Sequence, residues 1–232
     1  MNDMLVKKIL SETESGYDLM ADKFSQTRKH FWRDLEFIKD YAKDGDRILD
    51  YGCGNGRLLE LLNGLDTEYF GVDISQKLIE VASSRYQGSK IHFQKIGSSQ
   101  VILPFSDSYF NTIYCIAVFH HIPDSQYRLS LIKELQRVLE PGGHIIITVW
   151  NLWQRKYIKN IINNWLDKLT GKSNLDWNDC YIAFTNNFGE VFKRYHHAFS
   201  ARELKKDFKC AGFQVKMCRI MKGRNIVLVG KK

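Results

Sequence analysis

The chain has 232 residues, 44% hydrophobic and 26% charged, with a formal net charge of +8. That balance excludes a disordered polymer and fits one α/β domain with additions, long enough to bury a substantial core. No stretch approaches the roughly 20 apolar residues of a membrane span, the first ten residues lack a signal-peptide pattern, and the five cysteines form no Cys-x-x-Cys pair; a cytoplasmic location with reduced thiols is expected, with no membrane partner, disulfide or metal site.

Residues 1–46 read as helical. Ser11 with Glu14 has the form of a capping box ahead of an apolar stripe of Tyr17, Leu19, Met20 and Phe24. Phe31, Leu35, Ile38 and Tyr41 continue at helical spacing up to Asp44-Gly45-Asp46. Arg47–Tyr51 is the first strand, and it runs into Gly52, Gly54 and Gly56. Those glycines let the backbone turn tightly, bring N–H groups close to a ligand and open a helix whose positive end faces it. The helix carries Leu58, Leu59, Leu61 and Leu62. A second strand, Glu68–Asp73, ends in an acid placed to accept hydrogen bonds from both hydroxyls of a ribose.

Ser75 caps a helix through about Tyr86, Ile91–Lys95 is the third strand, and Thr112–Val118 is the fourth. Past Pro123 and Asp124, a helix with Leu129, Ile132, Leu135, Val138 and Leu139 on one side stops at Glu140-Pro141-Gly142-Gly143. His144–Trp150 is the fifth strand, a continuous apolar run of the buried parallel kind. This alternation predicts an α/β, Rossmann-like doubly wound sheet with its ligand at the strand C-termini.

Residues 151–199 break the alternation, and an insertion of that length after a strand C-terminus is expected to be a substrate-recognition cap. Its tryptophans suit either stacking on splayed bases or a small hydrophobic core of its own. The Ser200–Glu203 capping box then opens a helix through Ala211, and a hairpin of Phe213–Met221 with Asn225–Gly230 completes a seven-stranded sheet. Charge divides along the chain. Residues 1–150 carry 17 Lys+Arg against 20 Asp+Glu, and residues 151–232 carry 17 against 6. The last third is therefore net +11, which fits either a polyanionic partner or a solvated basic surface.

Asp50-x-Gly52-x-Gly54-x-Gly56 followed by Asp73 differs from the Gly-x-Gly-x-x-Gly of dinucleotide enzymes. It resembles the cofactor site of class I S-adenosylmethionine-dependent methyltransferases. Narrower motifs are Tyr17-Asp18 with Phe24-Ser25-Gln26-Thr27-Arg28, the run Ile116 to Ile122, Val149-Trp150 with Gln154, and Arg194-Tyr195-His196-His197-Ala198-Phe199. Together they resemble the tRNA wobble-uridine carboxymethyl methyltransferases. The resemblance implies a single methyltransferase domain over 1–232, with N-terminal helices (1–46), a cofactor-binding core (47–150), the cap (151–199) and a final helix and hairpin (200–232). It implies S-adenosyl-L-methionine as cofactor, held by Tyr17, Asp50, Gly52, Gly54, Gly56, Asp73, Ile74, Ser98, Ser99 and Ile116. It also implies tRNA as a partner and makes a small zinc-binding activator protein a further candidate. Three departures stand out: Gly97-Ser98-Ser99 replaces the family's adenine-reading acid, Asn111 replaces an Asp, and Trp32-Arg33 stands for Trp-Pro.

Methyl transfer from a sulfonium is an in-line displacement, so alignment and exclusion of water carry most of the catalysis. The resemblance implies a carboxylate nucleophile, which is ionised at pH 7 and needs cations and donors to hold it rather than a strong base. Arg28 and Arg194 are the leading candidates, since a guanidinium matches a carboxylate in bidentate geometry; the alternative for each is a surface salt bridge. His120 joins them as a catalytic candidate. His121, Tyr195, His196 and His197 are substrate-binding candidates, with packing of the cap as the alternative role. Two competing readings are a methyltransferase of a small acidic metabolite, separable by salt-sensitive tRNA binding, and a cofactor-fold binding protein without activity, separable by absent cofactor affinity.

Overall fold

The computed structural model describes residues 1–232. Its first element is α1 (Asp3–Thr27), which the Asn2 side chain caps by accepting from the Leu5 N–H at 2.8 Å. A 3-10 helix (Arg33–Tyr41) follows. The sheet then begins with β1 (Arg47–Tyr51), α2 (Leu58–Leu62), β2 (Glu68–Asp73), α3 (Gln76–Arg85) and β3 (Ile91–Lys95). It continues through β4 (Phe110–Ile116), α4 (Ser125–Val138) and β5 (Leu139–Trp150). The segment after β5 holds α5 (Arg155–Leu169) and the strands β6 (Asp179–Thr185) and β7 (Val191–His197); α6 (Ala201–Cys210), β8 (Gln214–Met221) and β9 (Asn225–Lys231) close the chain.

Seven strands form one sheet in the order β3-β2-β1-β4-β5-β9-β8, parallel through β5 and antiparallel at β9 and β8. The expected α/β, doubly wound seven-stranded sheet is what the chain forms. Period-two alternation sorts its residues to two faces: Leu49, Ile145 and Ile147 join one core, whereas Ile48 and Ile146 join the other. The winding reverses between β1 and β4, and that reversal opens a crevice beyond their C-terminal ends.

Several boundaries differ from the sequence reading. Ser11 caps nothing: α1 is continuous from Asn2, and the Ser11 carbonyl accepts from the Ser15 hydroxyl within it. β4 starts at Phe110 and stops at Ile116, because Ala117 turns to φ +59°. Glu140–Gly143 does not form the loop expected there. It is the first part of β5, where a register shift between Phe110 and Thr112 absorbs the extra residues. Gly143 is required, since a Cβ there would stand 2.7 Å from the Asn111 carbonyl oxygen.

The segment after β5 is regular as well. β6 and β7 pair antiparallel, and α5 packs on them through Ile161, Cys180, Leu152 and Ala198, joined by Trp150, Tyr157 and Trp165. The segment thus has a small core of its own, while Trp153 and Trp177 keep exposed surface. All five cysteines are free thiols. No helix is long and apolar enough to cross a membrane.

Candidate functional site

A cleft of about 890 Å³, counting its open mouth, lies at the sheet reversal, where ligands of open α/β sheets bind. The turn after β1 forms one wall. Its three glycines have φ of +79°, +56° and +75°, a left-handed backbone that side chains rarely adopt. At Gly52 a Cβ would also stand 2.2 Å from the Val118 side chain. The turn is held by N–H donation from Gly52 and Cys53 to the Val72 carbonyl, at 2.7 and 3.0 Å.

Asp73, at the C-terminus of β2, faces the same cleft. Its carboxylate accepts from the Gly54 N–H at 2.8 Å and the Ser75 N–H at 2.9 Å. Burial raises the Asp73 carboxyl above the usual range, and these N–H donors oppose the rise. Such an anchored acid keeps lone pairs free for the two hydroxyls of a ribose. Ile74, Ser98 and Ile116 also line the cleft.

The other cofactor candidates lie elsewhere. Asp50 is buried behind the glycine turn, where it accepts from the Tyr69 hydroxyl at 2.6 Å. Burial pushes its pKa up to about 7. It faces a smaller hollow together with Asn55 and Arg57. Gly56 sits against Tyr86 and Phe93, so it serves the packing of the turn. Ser99 is not part of the wall, which Ser98 alone of the pair reaches.

α1 crosses the mouth and contributes Leu10, Thr13, Tyr17, Phe24 and Arg28 to the cleft. The Tyr17 oxygen lies 2.7 Å from His121 Nε2, and His121 Nδ1 lies 2.8 Å from the Tyr195 carbonyl oxygen. A carbonyl only accepts, so Nδ1 carries the proton and Nε2 accepts from the Tyr17 hydroxyl. Burial, then the nearby Arg194 charge, push the His121 pKa down to about 3. His121 is thus a neutral ring that fixes Tyr17, and it cannot act as a proton donor at neutral pH.

Three guanidinium groups converge on this end of the cleft. Arg57 lies 3.9 Å over the Trp32 ring, and Arg28 lies 4.5 Å over Phe24. Arg194 lies 4.7 Å over Phe184, on β6, which Arg28 also approaches at 5.8 Å. None of the three forms an ion pair with a carboxylate of the chain. Arg194 Nε is buried without a hydrogen-bond partner. Burial and the neighbouring Arg28 charge push the Arg57 pKa down to about 10, which leaves it cationic at neutral pH. Unpaired, desolvated guanidinium groups are costly, and an anionic ligand removes that cost.

Four of the proposed histidine and tyrosine contacts do not reach the cleft. His120 and His196 are fully buried and stack at 5.2 Å, 15° from parallel, with Trp150 against both. The ring nitrogens of His120, His121 and His196 lie within 4.8 Å of one another, a spacing that suits a metal ion. Near-parallel rings argue against it, because their in-plane lone pairs do not converge on one point, and the Arg194 charge beside them repels a dication. His120 and His196 instead back Trp150, which does line the cleft.

Tyr195 packs its ring with Ile9 and Leu175 and serves the site only through its carbonyl. His197 lies between Asp179 at 2.7 Å and Glu203 at 2.8 Å. Burial alone would lower its pKa, but those two hydrogen bonds outweigh burial and raise it. His197 therefore ties β6 and β7 to α6.

Arg57, Asn55, Trp32 and Phe184 were missed by the sequence reading. Arg57 had a usable signal, since it directly follows the third glycine of the turn. Asn55 Oδ1 is a buried acceptor with no partner.

A methyltransferase-domain family model matches residues 24–216. Among similar proteins, the tRNA (carboxymethyluridine(34)-5-O)-methyltransferase of Arabidopsis thaliana is 37% identical over 136 residues, 58% of this chain and 31% of that protein. The probable tRNA methyltransferase 9B of Bos taurus is 34% identical over 139 residues, 60% of this chain and 29% of that protein. The chain thus spans less than a third of the length of these two curated relatives. A putative methyltransferase of Encephalitozoon cuniculi is 29% identical over 86% of this chain and 85% of its own length.

Solved structures share the fold. An S-adenosylmethionine-dependent methyltransferase from Methanosarcina mazei has a TM-score of 0.70 at 23% identity, covering 88% of this chain and 98% of its own. The complex of the Haloferax volcanii Trm112 methyltransferase activator with a putative methyltransferase contains a chain with a TM-score of 0.69 at 16% identity, covering 94% and 96%. The family match over residues 24–216 makes this chain a member of the methyltransferase-domain family.

Proposed function

We propose that the enzyme methylates the carboxylate of a carboxymethyl-type modified wobble uridine in tRNA. The observation that carries this reading is the pair Arg28 and Arg194, two cations without a carboxylate partner that both approach the Phe184 ring. That arrangement suits a planar base bearing an anionic arm, with the ring against Phe184 or Trp150 and the carboxylate between the guanidinium groups. The names of the curated relatives support the same acceptor, and so does the net +11 of the last third.

The bound S-adenosyl-L-methionine would supply an electrophilic methyl group on a sulfonium. Asp73 would hold the ribose, Ser98 and Ile74 the adenosine side, and Arg57 with the orphaned Asn55 Oδ1 the amino-acid end, one facing its carboxylate and the other its ammonium. Arg28 and Arg194 orient the acceptor carboxylate. Tyr17, fixed by neutral His121, closes the mouth with α1 and excludes water. A carboxylate acceptor loses no proton on methylation, and a site whose central histidine stays neutral fits that requirement.

The test is transfer of labelled methyl to tRNA carrying carboxymethyl-type wobble uridine, read by nucleoside mass spectrometry. Formation of the methyl ester supports the reading. An unmethylated tRNA alongside efficient transfer to small organic acids would replace it with the metabolite reading. A small activator subunit is proposed as a partner, since one structural neighbour is a complex with such a protein, and the assay is run with and without it.

A further inference from the structure

The β6–β7 hairpin that supplies Phe184 and Arg194 ends in a tip, Asn186-Asn187-Phe188-Gly189, that the site described so far does not use. Phe188 is 84% exposed, the highest value among the large apolar side chains of the chain. The tip around it is firmly built. Buried Asn186 accepts from the N–H groups of Phe188 at 2.9 Å and Glu190 at 3.0 Å, and its amide donates to the Glu190 carboxylate at 2.6 Å. Gly189 supplies the left-handed residue of the turn, at φ +86°.

The tip is also fastened to the mouth of the cleft. Asn187 donates to the Gln26 side chain at 3.1 Å, and Lys23 donates to the Thr185 carbonyl at 2.6 Å. Both partners lie on the last turns of α1, beside Arg28. Lys29, directly after Arg28, is exposed and forms no ion pair.

We propose that Phe188 is a stacking platform for a nucleotide that flanks the acceptor in single-stranded RNA. The inference rests on the tRNA reading above. A rigidly held ring standing free in water is a poor core residue but a good surface for a base, because every base has a π face. Its place at the rim lets one nucleotide enter the arginine pocket while its neighbour stacks outside. Lys29 then meets a connecting phosphate. One ring with one lysine is a small surface for a folded protein partner, and base stacking on a single ring needs no more.

The experiment compares two acceptors, the free carboxymethyl-type nucleoside and a short single-stranded oligonucleotide containing it, with wild type, Phe188→Ala and Phe188→Trp. For Phe188→Ala, KM for the oligonucleotide should rise about tenfold, while KM for the nucleoside and the affinity for S-adenosylhomocysteine stay unchanged. Phe188→Trp should keep wild-type values. Equal oligonucleotide KM for wild type and Phe188→Ala overturns the platform and leaves the acceptor reading intact. An oligonucleotide with 2-aminopurine at the flanking position gives a readout independent of turnover. Its fluorescence should be quenched by wild type and not by Phe188→Ala. Quenching without methyl transfer to either acceptor sinks the acceptor reading alone, and no quenching by wild type sinks the platform.

Discussion

The two sides of the cleft differ in how their polar groups are satisfied. On the β1–β2 side the chain answers its own needs: Asp73 takes N–H donors from Gly54 and Ser75, and the turn glycines donate to Val72. On the α1–β7 side Arg28 and Arg194 reach the cleft over aromatic rings, without ion pairs, and Arg57 joins them from the end of the glycine turn, over Trp32. The first side is preformed for a neutral sugar and can exist empty at little cost. The second is incomplete until anions arrive, so affinity for charge resides there.

That contrast is broken most severely at Asp73. Asp73→Asn should lower S-adenosylhomocysteine affinity at least about 100-fold by calorimetry, since a charge-assisted acceptor for two hydroxyls is lost. Arg194→Ala and Arg28→Ala should leave that affinity nearly unchanged while kcat/KM for carboxylate-bearing RNA falls about 10–100-fold. If either substitution spares turnover, that arginine does not hold the acceptor. Arg57→Ala sharpens the division further. It should weaken S-adenosylhomocysteine about tenfold yet leave 5′-methylthioadenosine, which lacks the amino-acid end, unaffected.

Smaller effects follow from the histidines. His197 has a raised folded pKa, so its stabilisation is fully present below about pH 6.5 and is lost as pH rises through the folded value. His197→Gln should therefore lower Tm most below pH 6.5, by about 1–3 kcal/mol of stability, with the gap from wild type closing at higher pH. His121 behaves oppositely. With a folded pKa of about 3, it stays unprotonated while the unfolded chain takes up a proton, so stability falls as pH drops below about 6.5. The smallest expected effect is on turnover between pH 6.5 and 8, where kcat should be flat because neither a carboxylate acceptor nor His121 changes protonation there.

Legibility in the sequence followed the range of the forces involved. β1, β2 and β3, the Ser75 and Ser200 caps and the glycine turn depend on neighbours in sequence, and the structure has them where the pattern puts them. Asp73 was legible for the same reason, as the last residue of a short strand. The Glu140–Gly143 segment was not, because its pairing partner Phe110 is remote and the bulge that admits two glycines is a property of the pair. The histidines show the limit most clearly. His120 and His121 adjoin in sequence, yet only His121 faces the cleft, because His120 turns back to stack on His196 from β7. His196 and His197 part in the same way, since alternation along β7 sends one to Trp150 and the other to Asp179 and Glu203. Arg57 had a local signal in the glycine turn, but its aromatic partner Trp32 comes from a distant segment.

The most direct test of the account is the chemical nature of the methylated product. The enzyme is incubated with labelled cofactor and tRNA bearing carboxymethyl-type wobble uridine, and the label is followed through mild alkaline hydrolysis. An ester at the wobble nucleoside, labile to base and absent with Arg194→Ala, is the predicted result. A base-stable label, or label at another nucleoside that survives Arg194→Ala, would contradict the assignment of the arginine side of the cleft to an acceptor carboxylate.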